Sequence, residues 1–256
     1  MKKTIEERRD ELLGKEFETN GSGRCFIVDY KGWDKVLVMF YDPICIVKCQ
    51  LDGLKKGMVY NPMRPTFYNK GYMGVGEFGH KDRRAYRLWN GVLTRVYNPK
   101  YKLSHPTYKD VTVCEEWLNF QNFAEWYYSE QQYDSVDEHG KPFHLDKDIL
   151  VKGNRVYSPE TCCFVPSEIN LLVSLNPSIR GDLPLGVAKC GKKFRVKINL
   201  GKLNKHIGVY HTKEKAFQAY KEVKEAYIKE IANKWEDHID SKVYQTLMKY
   251  EVNIND

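Results

Sequence analysis

The order of apolar and polar positions divides this chain of 256 residues into stretches of different period. A charged run predicts a short helix from about Ile5 to Leu13. Three runs of β-branched and aromatic residues follow, Cys25–Val28, Val36–Phe40 and Ile44–Val47, separated by turn sequences such as Lys31-Gly32-Trp33-Asp34. That spacing predicts the strands of a small, strongly bent sheet or barrel. Glycines and prolines between Gly57 and Gly79 then break up the chain, so this β-rich module is expected to end near residue 80, with no catalytic cluster of its own.

From Tyr86 the period changes. Leu88, Trp89, Val92 and Val96 recur at three- and four-residue steps, which gives a helix with one apolar face, stopped by Pro99. A second helix is predicted from Trp117 to Tyr127, and its aromatic stripe (Trp117, Phe120, Phe123, Trp126, Tyr127) is read as core rather than as a base-stacking platform. Phe143–Leu150 then reads as a strand, Lys152-Gly153-Asn154 as a turn and Cys162–Val165 as a second strand. A helix opens at Pro166, with Ser167 placed to cap it and Glu168 suited to its first turn. The order is ββα. Residues 176–184 have the composition of a linker.

In the last segment Phe194–Asn199 alternates strictly. Phe194, Val196 and Ile198 share one side, Arg195, Lys197 and Asn199 the other, because side chains on a strand have period two. Lys205–Tyr210 is a further strand. Thr212 is placed to cap a helix whose stripe of Phe217, Tyr220, Val223, Tyr227 and Ile231 would cover the apolar face of the sheet and leave the basic face open. The fold class expected is therefore α+β, in three parts: a β-rich module over 1–80, a ββα domain with a helical lead-in over 81–176, and a three-stranded sheet with one helix over 183–256.

Composition narrows the function classes. With 42% apolar and 29% charged residues the chain has the profile of a folded globular protein rather than a disordered one. No stretch has the ~18–20 apolar residues of a membrane span. The charged N-terminus lacks the apolar core of a signal peptide, so a cytoplasmic, monomeric protein without a membrane partner is expected. Seven cysteines, scattered, argue against a disulfide framework; Cys45 and Cys49 are four apart but no second pair completes a zinc site, and they read as inward-facing strand residues. The net charge of +7 is unevenly placed: Leu183–Lys213 holds eight Lys/Arg and no Asp or Glu. So one-sided a patch suits the neutralisation of phosphates, and the DNA-contacting set it predicts is Lys189, Lys192, Lys193, Arg195, Lys197, Asn199, Lys202, Lys205 and His206.

Two resemblances follow from particular residues. Gly186-Val187, Phe194–Ile198, His206–Tyr210 and Thr212–Tyr220 together resemble the AP2-type DNA-binding domain, three strands and a packing helix, often appended to phage homing endonucleases. Leu145-Asp146-Lys147-Asp148, Asn154, Tyr157–Cys162 and Asn170, with the helical lead-in from Tyr86, resemble the HNH endonucleases of phages and mobile introns. The resemblance implies hydrolysis of DNA phosphodiesters with Mg²⁺ or Mn²⁺, in the host cytoplasm if the protein is phage-encoded. Such chemistry needs a hard cation on oxygen ligands, for which Asp146 and Asn170 are suitable, and a general base. In the family a His adjoins the strand Asp; here that position is Lys147, and His144, two residues before Asp146 on the same strand face, is the substitute. Lys147 would bind phosphate, or act as base only with a strongly lowered pKa. Read singly, Asp146 and Asp148 are ordinary edge-strand charges, Asn170 an early helix residue and His144 structural. The alternative to a nuclease is a nuclease-derived protein that binds DNA as a repressor or site competitor. A virion structural protein would leave the basic sheet unexplained.

Overall fold

The computed structural model describes residues 3–173, 183–201 and 203–254. Helices and sheets both form, so the chain is α+β. It divides into two compact units, Met1–Lys109 with Val113–Glu125, and Asp110–Thr112 with Trp126–Asp256. Among the described residues no helix is long and apolar enough to cross a membrane.

The first unit begins with α1 (Ile5–Leu12), fixed by a reciprocal cap: Glu7 N–H donates to the Thr4 hydroxyl and Thr4 N–H to the Glu7 carboxylate. An antiparallel meander follows, β1 (Glu16–Thr19), β2 (Gly23–Tyr30), β3 (Val36–Tyr41) and β4 (Ile44–Cys49), in sequence order. The predicted runs fall on β2, β3 and β4. Cys25, Ile27, Val36, Val38 and Phe40 supply the buried face, closed by Leu51 and Leu54 of α2 (Leu51–Lys55). Cys25 and Cys45 flank Phe40 in register from either side. Burial pushes both thiols up, and that of Cys49 to about 11. Protonated, inward thiols pack as small apolar groups and bind metal poorly.

One long helix lies in this unit and a second begins in it. α3 (Arg83–Tyr97) buries Ala85, Trp89, Val92, Leu93 and Val96. Pro99, expected to stop it, also starts α4 (Pro99–Ser104), where Asn98 accepts from Lys100 N–H and Tyr101 N–H. The helix predicted from Trp117 is interrupted. Trp117 sits in a 3₁₀ turn, Asn119 is extended and caps Gln121 N–H at 3.0 Å, and α5 runs only over Phe120–Ser129. The whole aromatic stripe is nevertheless buried, as a core. The glycine-rich loop before α3 is clamped by Gln121, whose amide donates to Met73 O and Phe78 O and accepts from Phe78 N–H. A β-carbon on Gly74 (φ +71°) would lie 2.0 Å from Asn119 Oδ1, so only glycine fits there.

In the second unit, β5 (Thr112–Val113) contributes Thr112 N–H to Arg155 O, beside β7 (Val156–Tyr157). β6 (His144–Asp146) pairs antiparallel with β8 (Cys163–Val165), and α6 (Ser167–Val173) follows directly. Trp126 and Tyr127 of α5 pack on Phe164 of β8, each with ring centroids 5.7 Å apart. Ser167 turns out to be the first helical residue rather than the cap, since Asn170 N–H donates to Pro166 O. The expected linker, apart from its last two residues, lies outside the described residues, as does Lys202.

The remaining elements form one antiparallel sheet of β9 (Val187–Cys190), β10 (Lys193–Leu200) and β11 (Leu203–Tyr210), with β10 central. α7 (Lys213–Trp235), capped by Thr212 through Lys215 N–H, packs on it, and α8 (Ser241–Met248) packs on α7. Gly186 lets the chain pass against this helix: a β-carbon there would fall 2.1 Å from the Tyr220 ring. The apolar stripe of α7 is rotated from the expected one. Phe217, Tyr220 and Ile231 are buried, but Val223 and Tyr227 are only half-buried, while Lys224 and Ile228 take the inside. The reason is that α7 covers the sheet with its first part and meets α6 and α8 with the rest.

Candidate functional site

The strand predicted over Phe143–Leu150 stops at Asp146, and the carboxylate itself stops it. Asp148 N–H and Ile149 N–H donate to Asp146 Oδ1 at 2.7 and 2.9 Å, an Asx-type turn that takes the backbone out of the ladder. Both bonds fall on Oδ1; Oδ2 takes none from any described residue. Burial is the largest influence on this carboxyl and raises its pKa above the ordinary value, against the two backbone N–H groups. The result is a half-buried carboxylate whose Oδ2 receives no hydrogen bond from the described residues.

His144 shares that face of β6 because the two residues are two apart. It is exposed, and Asn170, one turn into α6, places Nδ2 3.4 Å from His144 Nδ1. In this rotamer the amide donates and the imidazole proton sits on Nε2. Rotating the amide by half a turn sets Oδ1 against Nδ1–H and leaves Nε2 basic. The hairpin and helix thus bring His144 and Asn170 together beside the Asp146 edge.

Lys147 is set apart. It lies in the turn that Asp146 makes at the strand end, where it is buried. Its ammonium donates to both Asp148 oxygens at 2.6 and 2.7 Å and to Asn154 O at 3.1 Å, and lies 5.9 Å from the Tyr157 ring centre. Asn154 in turn donates to Lys147 O and Val156 O and accepts from Val156 N–H. Ser158 and Thr161 hold the next turn through their hydroxyls, 3.1 Å apart. Much of the motif between Lys147 and Cys162 therefore shapes the loop joining the strands. Burial pushes the Cys162 thiol up to about 12 and that of Cys163 well above its ordinary value, so neither is a nucleophile or a thiolate ligand.

The donors on the open face are one carboxylate oxygen, one amide side chain and one imidazole. Among the described residues there is no group of three or more His, Cys, Asp or Glu that would hold a metal by itself. A small oxygen-rich set suits a cation such as Mg²⁺, which binds through one or two carboxylates and keeps several waters. Asp146 Oδ2, on a half-buried side chain and without a hydrogen bond from the described residues, is the observation that fits it.

On the C-terminal sheet, register decides which cations share a face. Arg195 stands between Ala188 and Val209, Lys197 beside His206, Asn199 beside Asn204 and Lys193 beside Cys190. Apart from Val209 these residues are polar, small or charged, and all of them are exposed. A bulge leaves Ile207 unpaired between His206 and Gly208, which is what returns His206 to the basic face. Lys189 pairs with Phe194 and Lys205 with Ile198, so the register assigns both to the helix side, where they are exposed at strand ends. Lys192 lies in the β9–β10 turn.

One residue acquires a role that its spacing did not indicate. Glu168 Oε2 accepts from Lys234 Nζ at 2.7 Å and Trp235 Nε1 at 2.8 Å, joining α6 to the last turn of α7. Phe143 packs edge-on to Trp235 at 5.9 Å. The partners are 66 and 67 residues away, beyond any local pattern. No family model, curated protein or solved structure matches the chain, so its functional reading rests on the chemistry of these side chains.

Proposed function

We propose that this protein is a DNA endonuclease of the HNH type, with an AP2-like sheet that binds duplex DNA and a ββα centre that hydrolyses a phosphodiester bond. The observation that carries the reading is the placement of His144 and Asp146 on one face of a β-hairpin with Asn170 reaching His144 from the following helix. Asp146 and Asn170 would hold a divalent cation, Mg²⁺ or Mn²⁺, which supplies Lewis acidity to the phosphate and its leaving oxygen. His144, exposed, is the base that takes a proton from water once the Asn170 amide is turned to accept from Nδ1–H and leave Nε2 free. Lys147, engaged by Asp148 and Asn154 O, positions the loop rather than the reacting atoms.

The basic face of β10 supplies targeting. A three-stranded sheet backed by one helix is thin enough to enter the major groove, where Arg195, Lys197 and Asn199 meet phosphates and base edges. Supercoiled plasmid incubated with the protein and Mg²⁺ or Mn²⁺ tests the whole reading. Nicked or linear product is expected, lost in EDTA and in Asp146→Ala while DNA binding persists. Cleavage that survives Asp146→Ala would remove the assignment.

The second reading, a DNA-binding protein without catalysis, is favoured by one observation: the residue adjoining Asp146 is a lysine already engaged by Asp148. Plasmid that is shifted but never cut would establish it.

A further inference from the structure

Resting on the reading of this chain as a DNA-binding protein, we propose a second contact surface for duplex DNA on the first unit, formed by the outer face of α3 and by α4. Residues 83–109 contain seven Lys/Arg, one His and no Asp or Glu. Together with 183–213 they hold fifteen of the 41 Lys/Arg and none of the 34 Asp/Glu, so the rest of the chain, with 26 basic against 34 acidic residues, is net acidic. Positive charge is therefore concentrated in two segments, and each compact unit carries one.

The helix sorts these charges. Ala85, Trp89, Val92, Leu93 and Val96 are its buried side. At about 100° per residue, Arg83, Arg84, Arg87 and Arg95 all fall within an arc of roughly 120° on the opposite side. Arg83 and Arg87 are exposed, and Arg87 Nε donates to Arg83 O at 3.3 Å, which lays its guanidinium along the helix. Asp82 is the N-cap and no acidic residue follows it in the first turn, so Arg83 and Arg84 sit where the helix dipole disfavours cations. An external polyanion gains from that placement.

Gly91 is an independent sign. It lies on the same outer arc, and glycine inside a helix is destabilising relative to alanine. Among the described residues a β-carbon there would meet only Arg95 Nη1, at an ordinary 3.6 Å, so none of them requires its absence. A bare backbone among arginines lets a sugar-phosphate strand approach closely. Beyond it, Lys100 is exposed on α4 and Lys102 Nζ reaches Lys109 O at 3.0 Å, extending the basic surface past the helix end. Tyr101 stacks on His105 at 4.1 Å within this extension.

Duplex DNA binding measured over a range of salt concentrations tests the surface in the full chain. Arg83→Gln/Arg87→Gln/Lys100→Gln is expected to weaken binding at least tenfold in low salt and to flatten the slope of log K against log[salt] by up to ~2.7, at ~0.9 for each phosphate that is no longer neutralised. Arg195→Gln/Lys197→Gln should flatten it separately. Gly91→Ala should raise Tm and yet weaken binding, which keeps the test open should the triple variant fold poorly. Unchanged affinity and slope in the triple variant, with weakened binding in Arg195→Gln/Lys197→Gln, would overturn this surface and leave the DNA-binding reading intact. An unmodified protein that binds no duplex, or that prefers single-stranded RNA, would overturn both.

Discussion

Glu168 is where the stability of the second unit and the geometry of the candidate site meet. Lys234 and Trp235 donate to its carboxylate, and the two bonds are of unequal worth. Lys234 has a side chain 39% exposed, so this ion pair contributes no more than ~1 kcal/mol. The Trp235 indole is buried, and its N–H donates to a charged acceptor at 2.8 Å. Such a bond contributes ~1.5–3 kcal/mol, and its loss strands a buried donor. Glu168→Ala is therefore expected to destabilise the second unit by ~2–4 kcal/mol. Glu168→Gln, which keeps an oxygen for the indole, should cost ~1 kcal/mol or less beyond the lost charge.

Chemical denaturation of the two variants, of Lys234→Ala and of Glu168→Ala/Lys234→Ala gives the double-mutant cycle that separates the two donors. The Glu168 bond raises the Lys234 pKa. A cation whose folded pKa lies above the unfolded value contributes stability that is fully present below that unfolded value, ~10.4 for lysine, and is lost as pH rises through the folded one. The Glu168–Lys234 coupling should hence be flat from pH 6 to 9 and decline only above ~10.4. Asn170 is two residues from Glu168 on the same short helix, so releasing the brace should lower the nicking rate of folded protein more than its affinity for DNA. A Glu168→Ala protein within ~0.5 kcal/mol of the unmodified chain would show that the indole bond contributes nothing and would refute the reasoning.

Other outcomes follow from neighbouring groups. Asp146→Asn keeps an oxygen for Asp148 N–H and Ile149 N–H but removes a carboxyl whose pKa burial raises, so the unmodified side chain loses stability as pH rises from its ordinary value through the folded one. In EDTA at pH 7 the variant should melt higher than the unmodified protein, with the difference vanishing below pH ~3.9, and it should not nick DNA; a lower Tm at pH 7 would contradict this. Lys147→Gln should lower Tm, because Asp148 and Asn154 O lose their partner, while nicking per folded molecule falls less than tenfold; a hundredfold loss with the fold intact would make Lys147 catalytic. Gly74→Ala should cost the first unit at least ~1–3 kcal/mol, read by thermal melting, because its φ of +71° and the Asn119 contact both oppose a side chain.

Period-two and helical patterns made β2, β3, β4, β10, β11, α3, α7 and the Thr212 cap legible in the sequence, but not β1 or β9, since each of the former shows which side of one element a residue occupies. What stayed hidden depends on two elements, or on a side chain competing with the backbone. The run Phe143–Leu150 alternates like a strand, yet Asp146 ends it by capturing the N–H groups of Asp148 and Ile149. The α7 stripe is displaced toward Lys224 and Ile228 because α6 and α8 claim part of the helix that the sheet alone would not need. The bulge at Ile207 breaks the alternation that β10 keeps, so His206 reaches the basic face only through a register that pairing with β10 sets.

The same distinction divides the candidate site. His144 and Asp146 share a face by period two, and that much can be read from a single strand. Asn170 reaches His144 only because β8 pairs with β6 and hands the chain directly to α6, so the contact expresses the hairpin register His144↔Val165. Lys147 shows the converse: adjacency in sequence to Asp146 makes it a candidate, but the turn at Asp146 ends the strand before it, and its ammonium is taken by Asp148 and Asn154 O. On a strand, the residue next to a site is the one directed away from it. A substitute for a missing neighbour is therefore to be sought two positions off, where His144 stands.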